Sequence, residues 1–416
     1  MTMHRRQLMF TALGTIALAA SAGFVPAHAQ DKSVTIGIEL PLTGADADSA
    51  TRIRNGAIMA IDDANAKGGV GGYKLNVTVL DSGTSTAGQY DPAQAATNAK
   101  KLVADPSVVA IVGPEMSGEG KAMTPILSAA NLATVTPSST NPDITDPKFA
   151  AQYKPGGKAI YFRTVTTDAY QGPNMANYMR DTLKVKSVYI LDDSGAYGVG
   201  MSNAFEAQAK KIGLNVMGHD QLDPKEADYT TALTKIKQLN PDAIYYGGVA
   251  QAGVKVAKQS YDIMPNVIKA GGDGMVDGGI LSGVGFPAIE GWYATQASPD
   301  AVDDPTNSDW AARYTKTFNM TPSLYAITAY DAAVVIIDAV KRVAESGQPV
   351  NRDTVRDAIQ QSKVNTMQGP VSFDENGDIT SKVISVWRIQ HDAAHPEDDV
   401  QHQYKYIGVA PEAPAT

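Results

Sequence analysis

Short β-rich runs alternate with helical stretches along nearly the whole of this chain, and that alternation restricts its fold more than any other feature. Val34–Leu40 has the composition of a strand and runs into small and polar residues at Pro41–Ala47. Asn55–Lys67 then carries Ile58, Ile61 and Ala64 at helical spacing. Gly68–Gly72 breaks that helix, and Tyr73–Leu80 alternates like a strand. Ala93–Ala104 reads as a helix, Val108–Val112 as a buried strand, Gly118–Ala130 as a helix and Ala133–Thr136 as a short strand. Repeated β-α-β units imply a parallel sheet with helices on both faces.

The same grammar restarts after Tyr161–Val165. Strands at Ser187–Leu191, Leu214–Met217, Ala243–Tyr246 and Val267–Ala270 alternate with helices at Val199–Ile212, Tyr229–Leu239 and Gln251–Tyr261. Ile289–Thr295 is a further strand, and Asp309–Phe318 and Ser323–Glu345 are helices. Two successive units of this kind, in a chain too long for one ordinary core, predict an α/β fold of two doubly wound, Rossmann-like lobes. In the tail, Pro370–Phe373 and Lys382–Ile389 read as strands flanking an Asn376-Gly377 hairpin turn, since both residues tolerate positive φ. The acids of Asp374–Asp378 lack the spacing of a calcium loop.

The N-terminus has the form of a secretory signal peptide spanning residues 1–29. Arg5 and Arg6 precede an apolar run from Leu8 to Ala22, and Ala27-His28-Ala29 offers small residues at a cleavage site. The run is too short to span ~30 Å of hydrocarbon. An ordinary export signal fits better than a twin-arginine one, because Gln7-Leu8-Met9 matches the latter only loosely. The sequence has no cysteine, which closes disulfides, thiolate metal sites, cysteine nucleophiles and lipid attachment through an N-terminal cysteine. The expected destination is the periplasm, without a lipid anchor. Loss of Arg5 and Arg6 with no acid would move the formal charge from -9 to -11. That acidity argues against nucleic acid as a partner.

In open parallel sheets, ligands bind beyond the carboxyl ends of the strands. The segments there are Gly113–Gly118, Thr136–Asn141, Asp192–Gly198, Gly247–Ala250 and Gly271–Gly274, all rich in Gly, Ser, Thr or Asp. Glycine admits close backbone approach, and free N–H groups at helix starts suit an anion such as a carboxylate. Taken singly, their Ser and Thr residues read as helix caps. Loops from two lobes facing one cleft read as a binding site.

Catalytic signals are absent. Gly113 to Gly118 begins like a phosphate loop, but Glu119 stands where lysine is needed. No G-x-S-x-G elbow surrounds Ser117 or Ser194. His391, His395 and His402 lie near several acids, but Pro396 breaks any helix that would hold His391 and His395 on one face, and the segment reads as a solvated acidic tail. No enzyme activity, metal or cofactor is expected.

Pro41-Leu42-Thr43-Gly44, Asn55-Gly56-Ala57 and Asn65-Ala66-Lys67-Gly68-Gly69-Val70 resemble type I periplasmic binding proteins for branched-chain amino acids. So do Thr136-Pro137-Ser138-Ser139-Thr140-Asn141-Pro142, Tyr246-Gly247-Gly248 and Gly369-Pro370-Val371-Ser372-Phe373-Asp374. The resemblance runs from about Val34 to Ile389. It implies two lobes joined by three crossovers, near Thr164–Thr167, Thr295–Ser298 and Val364–Gln368, closing on a ligand like a trap. Lobe one would combine 31–164 with 297–366, and lobe two 165–296 with 367–405, leaving 406–416 as a flexible tail. It further implies a monomeric receptor that hands a small molecule to the permease and ATPase of an ABC importer.

By the same resemblance, Ser117, Ser138 and Thr140, with Ser139 adjacent, hold the ligand carboxylate. Asp273 pairs with the ligand ammonium, Tyr197 closes over it, and Tyr325 packs against its side chain. Ser49 stands where an aromatic residue often lines the first-lobe wall, Val249 replaces a common tyrosine, and Asp273 is one methylene shorter than the glutamate of amino-acid binders. Asp46 and Asp48 lie near the expected rim, where they read as part of a solvated loop. These departures weigh against a Leu, Ile or Val ligand and leave a larger, polar or cationic one open. An amide, urea-like or aromatic carboxylate ligand, and a sensory role, also stay open.

Overall fold

A computed structural model of the protein describes residues 32–412, and the expected signal peptide lies outside them. Five strands, β1 (Lys32–Leu40), β2 (Tyr73–Asp81), β3 (Val108–Val112), β4 (Ala133–Thr136) and β5 (Tyr161–Arg163), form a sheet in the order β2-β1-β3-β4-β5. Every neighbouring pair is parallel. β3, with the sequence VVAIV, is buried along its whole length, as a central strand covered on both faces must be. The helices Ala47–Ala66 and Leu324–Glu345 pack against each other on this side of the molecule.

The second sheet begins with β6 (Ser187–Asp192), β7 (Asn215–Gln221), β8 (Ala243–Gly247), β9 (Ile268–Gly271) and β10 (Tyr293–Gln296), again all parallel. A separate antiparallel pair follows, β11 (Lys363–Thr366) with β12 (Gly369–Ser372). β13 (Ser385–Ile389), antiparallel to β10, and β14 (Tyr404–Val409), antiparallel to β13, then extend the second sheet, giving β14-β13-β10-β9-β8-β6-β7. In both sheets the first strand lies inside, so the chain winds outward in two directions from it. Loops after neighbouring strands then diverge and leave a crevice at the carboxyl edge. The chain passes between the sheets in segments that lie side by side. Thr166 N–H donates to Ala297 O at 2.8 Å, and Gln368 Nε2 to Thr164 O at 3.0 Å.

The structure departs from the sequence reading in several places. The first helix starts at Ala47 rather than Asn55, so Asp46 is 1% exposed and not on a solvated loop. The expected hairpin around Asn376-Gly377 is not one: β12 pairs with β11 and β13 with β10, so the acidic turn joins different sheets. Across it Thr380 N–H donates to Ser372 O and Asp374 N–H to Asp378 O, both at 2.9 Å, without a continuing ladder, and of Asn376 and Gly377 only Gly377 takes a positive φ, of 101°. This turn packs on β5, where the Phe162 and Phe373 rings lie 5.1 Å apart. Residues 373–378 thus sit with the first sheet, although the expected boundary assigned them to the second lobe. Of the flexible tail expected over 406–416, residues 406–409 are instead edge strand, with Tyr404, Tyr406 and Gly408 turned inward between exposed neighbours, and residues 413–416 lie outside the described residues.

Arg163, at the end of β5, ties these parts together. It is 0% exposed. Its Nε donates to Asp378 at 2.8 Å, Nη1 to Ser139 O at 2.6 Å, and Nη2 to Asn141 O at 2.8 Å and Thr145 Oγ1 at 3.0 Å. The planar fork therefore fixes the loop after β4 against the acidic turn. Arg163→Met should cost about 3 kcal/mol or more in urea unfolding, since it strands Asp378 and two buried carbonyls. Arg163→Lys should recover only part of the loss, because an ammonium cannot span the same partners.

Candidate ligand-binding site

The carboxyl edges of the two sheets face each other across a cleft. From the first-sheet side come Asp46, Ser49, Glu115, Met116, Ser117, Ser138 and Tyr325. From the second come Tyr197, Val249, Ala250, Asp273, Gly274, Val276 and Asp277. Most follow a strand or open a helix, the positions where backbone N–H groups lack partners within the helix. The second sheet is pinned at its switch point by Asp193. Its carboxylate accepts the N–H of Gly195 at 2.9 Å and of Val249 at 2.9 Å, joining the loops after β6 and β8.

Asp273 follows β9 and is 4% exposed. Its Oδ1 accepts Tyr197 Oη at 2.5 Å and Gln171 Nε2 at 2.9 Å, and its Oδ2 accepts Tyr325 Oη. Tyr197 comes from the second-sheet side and Tyr325 from the first, so one carboxylate links the two walls. Burial raises the Asp273 carboxyl, while the bonds from Tyr197, Tyr325 and Gln171 act to lower it. Asp168 beside it rises to about 8, first through burial and then through Asp273. The next residue must be glycine: a Cβ on Gly274 would lie 2.3 Å from Gly248 O and 2.9 Å from the Tyr197 ring.

Opposite lie the hydroxyls of the first sheet. Ser117 opens the helix Ser117–Ala129, whose first-turn N–H groups and dipole favour an anion. Ser117 Oγ accepts the Asn141 N–H at 3.2 Å and the Ser139 hydroxyl at 3.3 Å. Ser138 Oγ donates to Glu115 O at 3.1 Å. Of the residues expected at the site, Ser49, Ser117, Ser138, Tyr197, Asp273 and Tyr325 line the cleft. Ser139 and Thr140 do not. Ser139 turns toward Ser117, and Thr140 Oγ1 is buried without a hydrogen-bond partner.

Sequence reasoning passed over Glu115, Asp277 and Gln171. Glu115 follows Gly113-Pro114 in a loop already marked as a ligand loop, and Asp277 stands four residues after Asp273. Burial pushes the Glu115 carboxyl well above its usual range, the Ser49 hydroxyl acts against this, and Asp46 and Asp277 add to it. Burial likewise raises Asp46 to about 7 and Asp277 to about 7.

The histidines expected on a solvated tail are more ordered. His391 stacks on Phe286 at 4.4 Å, and His395 stacks on His402 at 3.5 Å with rings 3° from parallel. Asp399 accepts from His402 Nδ1 at 2.8 Å, and ligand atoms of His395, Asp399 and His402 lie within 4.8 Å of one another. Imidazole lone pairs lie in the ring plane, so parallel stacked rings must turn before both could meet one ion.

The raised acids set the pH dependence of the free protein. Asp46 and Asp277 move from 3.8 to about 7, and Glu39 from 4.5 to about 7. Each binds its proton more tightly in the fold than in the unfolded chain. Their stabilisation is complete below the unfolded values and disappears as pH rises through about 7. The unliganded protein should therefore melt at a higher temperature near pH 5 than near pH 8, as read by calorimetry. An equal or higher melting temperature at the alkaline end would contradict these environments.

Comparison with known proteins fits this arrangement. The sequence pattern of the periplasmic binding protein family matches residues 33–393. The Leu/Ile/Val-binding protein BraC3 of Rhizobium johnstonii is 32% identical, over 90% of this chain and 96% of its own length. The leucine-binding protein LivK of Thermotoga maritima superposes with a TM-score of 0.77 at 24% identity, covering 91% of this chain and 98% of that one. A solute-binding protein of an R. palustris ABC transporter, solved with benzoate, gives 0.75 at 18% identity, covering 92% and 97%. With the doubly wound sheets and the cleft between them, these matches establish that the chain belongs to the periplasmic binding protein family.

Proposed function

We propose that this protein is the ligand-capturing receptor of an ABC importer and that its ligand is an α-amino acid. The observation that carries the reading is the buried Asp273 carboxylate, shared between Tyr197 and Tyr325 and set across the cleft from Ser117 and Ser138. A zwitterion needs a partner for each charge before it leaves water. Asp273 serves the ammonium. Ser117, Ser138 and the first-turn amides of the helix from Ser117 serve the carboxylate. Ser139 and Thr140 support that loop from behind. Similarity to BraC3, a Leu/Ile/Val-binding protein, supports the amino-acid class.

Residues 31–164 with 297–366 form one lobe in this reading, and 165–296 with the last two strands form the other. The contacts of Phe373 and Asp378 with β5 move the last crossing beyond the acidic turn, toward Ser385. Closure of the lobes presents an occupied monomer to the permease and ATPase subunits. In this reading a cleavable signal peptide exports it to the periplasm.

A second reading is an aromatic carboxylate. It draws on the benzoate-bound relative and on Asp273 already holding three donors without an ammonium. A thermal-shift screen of amino acids, amides and aromatic acids separates the two. A ligand at a hundred times its Kd adds about 2.7 kcal/mol of stability. Amino acids should stabilise and benzoate should not. In calorimetry, Asp273→Asn should weaken amino-acid binding by about tenfold or more, ~1.4 kcal/mol. Stabilisation by benzoate alone, with binding indifferent to Asp273→Asn, would favour the aromatic reading.

A further inference from the structure

The cleft has a second polar end. Asp46, Glu115 and Asp277 reach it from the start of the first helix, the loop after β3 and the loop after β9. Among the described residues lining the cleft there is no lysine, arginine or histidine. Arg52 lies behind this end, but its Nε and Nη2 donate to Asp48, at 2.8 and 3.3 Å, and its Nη1 to Thr321. Arg52 thus moderates Asp277 from outside the cleft without entering it.

Two of the three acids have structural work. Asp46 Oδ2 accepts the Tyr90 N–H at 2.8 Å. Asp277 Oδ1 caps the helix Gly278–Val284 through Gly279 and Ile280. Glu115 caps no helix and holds no backbone N–H, although the Ser49 hydroxyl lies against it. It is 5% exposed, lines the cleft, and its Oε2 has no hydrogen-bond partner. A buried carboxylate oxygen left unsatisfied in a native fold calls for a partner. An aliphatic ligand side chain would bury this oxygen without a donor, which opposes binding. An ammonium or guanidinium carries several N–H donors and the missing positive charge.

The two polar ends share one cavity. Tyr325, which donates to Asp273, lines it together with Glu115. Val249, Ala250 and Val276 supply apolar wall for a stem of methylene groups. Burial holds Asp46 and Asp277 near 7 in the free protein, a state that a bound cation would relieve.

Resting on the amino-acid reading above, we propose that the ligand is a cationic α-amino acid of the lysine, ornithine or arginine type. Its distal ammonium or guanidinium is received by Glu115, flanked by Asp46 and Asp277. Asp273 and the Ser117 helix hold the amino-acid end.

The test is calorimetry of the exported protein with L-lysine, L-ornithine, L-arginine, L-leucine and L-norleucine, the last having the lysine skeleton without its amine. At least one cationic amino acid should bind a hundredfold or more tighter than norleucine and leucine. Glu115→Gln should weaken that ligand tenfold or more while leaving leucine unchanged or improved, and Asp273→Asn should weaken all of them. Leucine or norleucine binding as well as the cationic ligands would overturn this inference and leave the amino-acid reading standing. Absence of binding by any amino acid would overturn both. A Glu115→Gln protein that melts normally but loses all amino acids equally would also overturn it, because Glu115 would then not read the distal group.

Discussion

A carboxylate buried between two halves of a protein must be answered from both, and Asp273 is answered from both. Tyr197 reaches it from the helix after β6, Gln171 from the helix Asp168–Asp181, and Tyr325 from the helix packed beside the first sheet. Charge-assisted hydrogen bonds of this kind are among the strongest a fold can make. The arrangement depends on local backbone. The Gly274 N–H donates to Tyr197 Oη at 3.1 Å, and no side chain fits at that position. The clasp that joins the walls and the group we propose to meet the ligand are therefore the same residue.

The sheets explain why such a clasp can exist. Each winds outward from its first strand, so each opens a crevice where loops from neighbouring strands part. Asp193 holds the crevice of the second sheet in shape through Gly195 and Val249. Arg163 does the same for the first by gripping Ser139 and Asn141 from behind. Asn141 in turn donates to Ala196 O at 2.8 Å, carrying the first-sheet loop onto the start of the helix behind Tyr197. The polar groups that make the frame rigid are spent on each other. Thr140 Oγ1, Asp168 Oδ2 and Glu115 Oε2 are buried without a hydrogen-bond partner, and of these Glu115 lines the cleft.

Much of this was legible in the sequence. The alternating strands and helices gave both parallel sheets, reading the segments after each strand marked the loops of the cleft, and the family resemblance singled out Ser117, Ser138, Tyr197 and Asp273 within them. What failed did so for physical reasons. The helix Asp168–Asp181, and with it Gln171, was hidden by Gly172-Pro173, a pair that ordinarily marks a turn. The Asn376-Gly377 turn has hairpin chemistry, but its pairing was decided by Arg163 and Phe162, far away in sequence. β14 was missed because its inward residues, Tyr404, Tyr406 and Gly408, make a weak alternation. Asp46 looked like a solvated acid, and only the Tyr90 N–H across the loop shows what holds it inside. Ser139 and Thr140 were near the cleft in sequence, yet their side chains turn away from it, which spacing alone does not reveal.

If loops from both sheets clasp one ligand, a saturating amino acid should slow amide hydrogen exchange in both walls together, at residues 115–120 and 138–141 and at residues 195–199 and 272–280. Protection confined to the loops of one sheet, or lying outside the cleft, would contradict it.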